Sequence, residues 1–492
     1  MRVDGAQTNS PSPELLNIAY VTLRKVTLRL IPFLFILYIV AWLDRVNVGF
    51  AALQMNSDLG FSSAAFGLGS GMFFLGYCLF EVPSNLILHR VGARRWIARI
   101  MMSWGAISVA MMFVRTTTAF YILRFLLGAA EAGFFPGVVY YLSHWYPERQ
   151  RARAIAAFMT AVPVSGLIGG PLSGALLSLN GAFGIAGWQW LFLVEGLPAV
   201  LLGVIVLVYL TDRPETAHWL SSAEKDWLVT ELAAERSSRS TAHPIGIVAA
   251  LINPTIWYLG IIFLLAAIGF YGYSFWAPLV IKSLTRSSDL LVGIILGAIS
   301  ALTIACMLLN SAHSDHTDER PLHVAVPLFI TGTGFFGCAL LSNPVLAILS
   351  LALVPVGHCA AYGPFWSMPA RFLTGASAAA GIALVVTIAN VGGFLGPTMI
   401  GAIEDRAGTP GPAFMLLGAC AMIGALLALQ LRRVAFLRGA GPANWLKSCR
   451  VSAWAIPGAQ RNPRRATRKR GCARGDIALP TRTDNCGDEP AR

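Results

Sequence analysis

The sequence predicts an all-α integral membrane protein with twelve transmembrane helices arranged as two six-helix bundles. Three observations carry this. Of 492 residues, 56% are hydrophobic and only 12% are charged, about half the charge of a soluble domain. Apolar runs long enough to cross a bilayer, about 20 residues each, recur twelve times. A pattern in the first half returns in the second at a fixed distance. Gly166-x3-Gly170-Pro171 recurs 226 residues later as Gly392-x3-Gly396-Pro397, and the charged loop from His89 recurs at the same offset from Asp315. Two parallel-related bundles place a binding site between them, near the midplane.

Residues 1–27 form a polar N-terminal segment, with Arg24 and Lys25 before the first apolar run. No small-residue cleavage site follows a short apolar stretch, so that run reads as an uncleaved span. The N-terminal bundle, 28–210, has runs near 30–52, 64–87, 96–114, 118–142, 154–178 and 188–210. Residues 211–254 form a central loop, in which Ser221-Ser222-Ala223-Glu224 is a capping-box pattern. Trp227, Leu228 and Leu232 follow at helical spacing, which predicts a short amphipathic helix. The C-terminal bundle, 255–431, has runs near 255–281, 290–310, 322–341, 344–367, 377–402 and 412–431.

Basic residues set the expected orientation. With the N-terminus inside, cytoplasmic segments up to residue 431 hold 17 Lys and Arg against four in the outer loops. That bias places both termini and the central loop in the cytoplasm. The net charge of +13 belongs mainly to the tail, 432–492, which holds 14 basic and 4 acidic residues. The tail reads as disordered by composition, and its charge is no sign of a nucleic-acid partner. Five of the eight cysteines lie in apolar runs, with no CxxC spacing, so neither a disulfide framework nor a metal site is expected.

Charges inside the spans are the functional signal. Each costs about 2.5–3.5 kcal/mol at a helix centre, so none is expected to face lipid. The first span carries Asp44 and Arg45, with Asn47 nearby. The fourth carries Arg124 and Glu131, two turns apart on one face with Gly128 between them. Partners for each must come from another span, which predicts a buried ring of two carboxylates and two guanidiniums. An arginine fork suits a carboxylate ligand, which makes Arg45 and Arg124 the candidate substrate groups. A proton-coupled carrier needs a buried carboxylate that can hold a proton, and Asp44 and Glu131 are the candidates. A structural ion-pair network is the alternative. Glu81 and Glu195 read as packing or gating groups. In the second bundle, whose spans lack charges, Tyr273, Ser274, Trp366 and Ser367 are candidate selectivity residues.

Longer motifs add a resemblance. Trp42-Leu43-Asp44-Arg45-Val46-Asn47-Val48-Gly49, Phe80-Glu81-Val82-Pro83-Ser84-Asn85 and the stretch from Arg124 to Gly137 carry it, with Gly187-Trp188-Gln189-Trp190 and Asn390-Val391-Gly392-Gly393-Phe394-Leu395-Gly396-Pro397. Over residues 28–431 the chain resembles the major facilitator superfamily, and within it the tartrate- and phthalate-type permeases of the anion:cation symporter family. The resemblance implies the major facilitator fold, alternating access, and a multi-pass place in a bacterial inner membrane. It implies uptake of a small organic acid with protons, protonation at Asp44 and Glu131, and substrate contacts from Arg45, Arg124, Tyr77 and Asn390. It also implies gating or structural roles for Arg90, Arg94, Arg95, Asp315, Arg320, Gly166, Gly170 and Pro171. His89 stands where the family motif normally has an Asp, and His316 and Asp318 replace the usual Arg and Gly. The expected partners are the organic acid, protons and lipid, for a monomer without cofactor or metal. Organic-anion exchange is the alternative within the fold, and a non-transporting sensor the alternative outside transport. No G-x-S-x-G or HExxH occurs, which argues against an enzyme.

Overall fold

The computed structural model describes residues 13–240, 252–369 and 375–433, and these are helical nearly throughout. The basic tail beyond 433, the first twelve residues and part of the central loop lie outside the described residues. Twelve helical segments are long and apolar enough to span a membrane, and they match the twelve runs. In order they comprise α1 (Pro13–Leu59), α2 (Ser63–Val91), α3 (Ala93–Ala110), α4 (Thr117–Glu131) with α5 (Phe134–Leu142), α6 (Glu148–Met159) with α7 (Ala161–Leu177), and α8 (Gly187–Tyr209). The loop helix α9 (Ser222–Ser240) follows. Then come α10 (Pro254–Thr285), α11 (Asp289–Thr317), α12 (Pro321–Leu340), α13 (Pro344–Ser367), α14 (Gly375–Ala407) and α15 (Gly411–Gln430).

Local sequence explains where these helices start. Ser62, Thr116, Asn253, Ser288 and Asn343 accept backbone N–H bonds at their N-termini, and Pro254, Pro321 and Pro344 occupy first turns, where no donor is lost. The capping box forms as written: Ser221 N donates to Glu224 Oε2 at 2.9 Å, and Glu224 N to Ser221 Oγ at 3.3 Å.

Two spans differ from the simple reading. The first helix begins at Pro13, not near 30, because its early turns have a surface to pack on. Lys25 Nζ lies 2.6 Å from Glu224 Oε1 on α9, and the Arg29 guanidinium sits over Tyr209 at 4.6 Å and Trp219 at 5.1 Å. The fourth span breaks at Ala132–Gly133. Gly133 has φ +89°, and a Cβ there would meet Ser84 Oγ at 2.2 Å, so glycine is required twice over. The bend frees the Ala132 carbonyl, which accepts from Ser84 Oγ at 2.6 Å while Trp96 Nε1 donates to Ser84 at 3.0 Å. Glu131 therefore ends α4 at a satisfied kink, deep in the bundle.

The two halves meet along α2–α14, α7–α11 and α1–α10. The first two are glycine contacts related by the sequence repeat. A Cβ on Gly170 would lie 2.5 Å from the Gly293 carbonyl, and one on Gly293 2.1 Å from the Gly170 carbonyl. On the other side, a Cβ on Gly67 would lie 2.5 Å from the Pro397 carbonyl. Gly67 and Gly293 are themselves 226 residues apart, as are Pro171 and Pro397. Small residues let the backbones touch where lipid offers no hydrophobic drive. Polar bonds join the same end: Gln54 Nε2 donates to Leu177 O at 3.0 Å and to Asp289 Oδ2 at 2.8 Å, and Lys282 Nζ lies 2.7 Å from Asp289 Oδ1. At this end backbone contacts and the Gln54–Asp289 bond hold the halves together. At the opposite end Arg94 pairs with Asp212 and Arg320 with Asp315, each inside its own half.

Candidate functional site

Asp44 and Arg45 are consecutive on α1, so their side chains leave the helix about 100° apart. They enter different environments. Arg45 forms a buried ion pair with Glu131 from α4, and its guanidinium also lies over Trp42 (5.0 Å), Phe73 (5.3 Å) and Tyr77 (5.4 Å). Asp44 turns towards α3. It accepts from Trp104 Nε1 at 2.6 Å, from Asn47 Nδ2 at 3.1 Å and from Ser108 Oγ. The expected four-charge ring is therefore a single Arg45–Glu131 pair beside a hydrogen-bonded Asp44.

Arg124 is the second feature. Its side chain is fully buried (0% exposed), facing Phe73 at 5.1 Å and Phe275 of the opposite half at 5.7 Å. One bond is made, from Nη2 to the Ser70 carbonyl at 3.4 Å. Nε and Nη1 find no acceptor among the described residues. Leaving donors of a buried guanidinium unmet costs several kcal/mol. The arrangement can accept an anionic oxygen, and Arg45 can accept another once Glu131 lets go.

A cavity of about 110 Å³ lies between the halves and reaches the first span at Trp42, Leu43 and Val46, and Asp44, Arg45, Arg124 and Glu131 are not in its wall. Trp42, Ser173, Tyr273, Ser274, Ser300 and Thr303 contribute to its wall. Tyr273 and Ser274 both lie in that wall, and Ser274 Oγ donates to its own helix at Phe270 O, 2.8 Å away. Trp366 and Ser367 are not in that wall. Trp366 packs on Phe263 at 5.0 Å, and Ser367 donates to Pro364 O at 2.8 Å. Asn390 is buried with Nδ2 unpartnered. Gly166 and Gly170 line the cavity as well as the α7–α11 contact, and Pro171 packs against Gly297.

Sequence reasoning missed several of these groups. Tyr271 of α10 stacks parallel to Trp42 at 6.5 Å and edge-on to Phe74 at 4.4 Å, so an aromatic of the second half borders the Arg45 pocket. Ser165, Ser173, Ser300 and Thr303 are small polar residues inside apolar runs, and their helical spacing along α7 and α11 was the available signal. The Gly67 and Gly293 pair could have been found by extending the 226-residue offset.

Comparison with known proteins follows the same lines. A model of the Major Facilitator Superfamily matches residues 34–397. A protein of Agrobacterium vitis, provisionally named a tartrate transporter, is 49% identical over 84% of this chain and 95% of its own length. A quinolone resistance transporter of Acinetobacter baumannii is 40% identical over 82% of this chain and 93% of its own. Among solved structures, a bacterial homologue of the human lysosomal transporter Spinster, inward-facing and unoccupied, superposes with TM-score 0.65 at 19% identity. That match covers 89% of this chain and 98% of the other.

Proposed function

The chain belongs to the major facilitator superfamily, a family of transporters and not of enzymes, and from that premise we propose that it takes up a small organic carboxylate by proton symport. The observation that carries this reading is the Arg45–Glu131 pair beside Arg124, whose Nε and Nη1 are unmet. Glu131 and a substrate carboxylate are competing ligands for one guanidinium. Protonating Glu131 removes its charge and releases the Arg45 fork for the substrate. Arg124 offers donors to a second carboxylate or hydroxyl oxygen. Tyr77 and Tyr271 border Arg45 from the two halves, so a ligand held there touches both.

Alternating access is the motion this reading requires. The glycine contacts join the halves at one end, while at the other the ion pairs of Arg94 and Arg320 each lie within a single half. With the positive-inside orientation, the joined end faces outward and the site opens to the cytoplasm. Re-pairing of Arg45 with Glu131 after proton loss expels the anion there. The membrane is the bacterial inner membrane, and both termini are cytoplasmic.

The test is uptake by proteoliposomes with labelled tartrate, phthalate, a sugar acid and a quinolone. The reading expects a carboxylate to accumulate under an inward proton gradient. Arg45→Lys and Arg124→Lys each lower that uptake roughly ten- to a hundredfold, since lysine cannot form the two-pronged bond. Accumulation of the quinolone alone, or carboxylate uptake at the wild-type level by both lysine variants, contradicts it.

A further inference from the structure

A third carboxylate, outside the Arg45–Glu131 pair, is built into the same region. Glu195 of α8 is buried, and Ser173 Oγ of α7 donates to its Oε1 at 2.7 Å. Its Oε2 has no partner. Asn47 of α1 donates from Nδ2 to Asp44 Oδ1 at 3.1 Å, and both residues lie near Glu195. Asn47 Oδ1 is likewise without a donor. The helices are held tightly here, because Gly196 brings α8 against α3 where a Cβ would sit 3.0 Å from Ser108 Oγ.

Around Glu195 stand Asp44 and Asn47 from α1 and Ser173 from α7, with Ser108 of α3 against the adjoining Gly196. Among the described residues none of these is a cation, and Arg45 is engaged by Glu131. Asp44 feels the Arg124 guanidinium, whereas Glu195 faces no cation among these groups, so ionising both buried carboxylates is costly and the cost falls on Glu195. One proton removes the conflict. Ser173 reaches the other way: its residue is part of the cavity wall.

We propose that Glu195 is a second proton-holding site, loaded from the central cavity through Ser173 and coupled by charge to Asp44, so that the Asp44–Glu195 pair carries one proton. In the loading step a hydronium in the cavity gives a proton to Ser173 Oγ as the serine passes its own to Glu195 Oε1. One O–H bond breaks on serine, one forms on glutamate, one re-forms on serine, and a water stays in the cavity. The inference rests on the symport reading and adds to it a second proton, separate from that of Glu131.

Infrared difference spectra of the full chain in proteoliposomes, recorded across a pH titration, test it together with tartrate uptake. Glu195→Gln is expected to remove one protonated-carboxyl C=O band that Glu131→Gln retains, and to flatten the pH profile of uptake by about one proton. Ser173→Ala, which leaves the carboxyl in place, should keep that band, shift its frequency and slow its exchange with D2O. Retention of every carboxyl band and of the wild-type profile in Glu195→Gln overturns the proposal. Unchanged D2O exchange in Ser173→Ala overturns the loading route. Wild-type accumulation that survives a protonophore sinks the symport reading instead, and the Glu195 band then still decides whether that residue holds a proton.

Discussion

Glu131 and Asp44 are both buried acids within one pocket region, yet their surroundings assign them different work. Glu131 touches a guanidinium, so its protonation changes what Arg45 can bind. Asp44 accepts from the neutral donors Asn47, Trp104 and Ser108, so its protonation releases no guanidinium directly. Asp44→Asn is therefore expected to lower proton-driven accumulation while keeping the fold and substrate binding, measured as binding of labelled tartrate to purified protein. Ser84 is a structural case. Replacing it by Ala strands the Ala132 carbonyl and the Trp96 N–H, at about 1–3 kcal/mol, and thermal unfolding of the purified protein should start at a lower temperature. The four intramembrane charges were legible because charge in an apolar run is conspicuous. Their pairing was not. Adjacent helical residues point about 100° apart, and which neighbour each meets is decided by helix packing that one chain's pattern does not encode. Glu195 shows the same limit, since nothing in its run hints that Ser173 or Asn47 lies against it.

Among the elements, the glycine helices α7 and α11 carry the clearest prediction. A side chain at Gly170 or Gly293 would collide with backbone that cannot give way. Gly170→Val and Gly293→Val should hold this end apart, seen as a longer spin-label distance between residues placed near 57 and 287, and should stop net uptake. An unchanged distance contradicts the role given to this contact. The loop helix α9 was legible from its capping box and its Trp227–Leu232 spacing. Its partner was not, because the first helix was read as starting near 30. The Lys25–Glu224 bond ties the two. Burial opposes ionisation of Glu224, but the Lys25 ammonium and the Ser221 bonds outweigh it and hold the carboxyl below its usual range. The sign follows. A depressed carboxyl adds stability above its unfolded value, about 4.3, and the gain disappears as pH falls through the lower folded value. Glu224→Gln should therefore lower thermal stability at neutral pH and lose that difference in acid.

At the scale of the molecule, the fold was the most legible part. Twelve runs, a shared offset and a paucity of charge left few architectures, and the same offset turns out to relate the two glycine contacts that join the halves at one end. The asymmetry between halves also persists. Charges gather in α1, α2, α4 and α8, whereas the opposite half contributes Tyr271, Tyr273, Ser274 and Phe275. Trp366 and Ser367 are set apart from the cavity wall because α13 turns them towards Phe263 and its own backbone. Coupling is accordingly assigned to the first half, and contact with the uncharged part of a ligand to the second.

The claim at the centre is that one proton on Glu131 releases Arg45 for a carboxylate. Its most direct test is labelled tartrate transport by Glu131→Gln in proteoliposomes, measured both as gradient-driven accumulation and as counterflow without a gradient. The account predicts that accumulation is lost while counterflow continues, because glutamine mimics the protonated acid and leaves Arg45 permanently available. Accumulation at the wild-type level, still abolished by a protonophore, would place the proton elsewhere and contradict it.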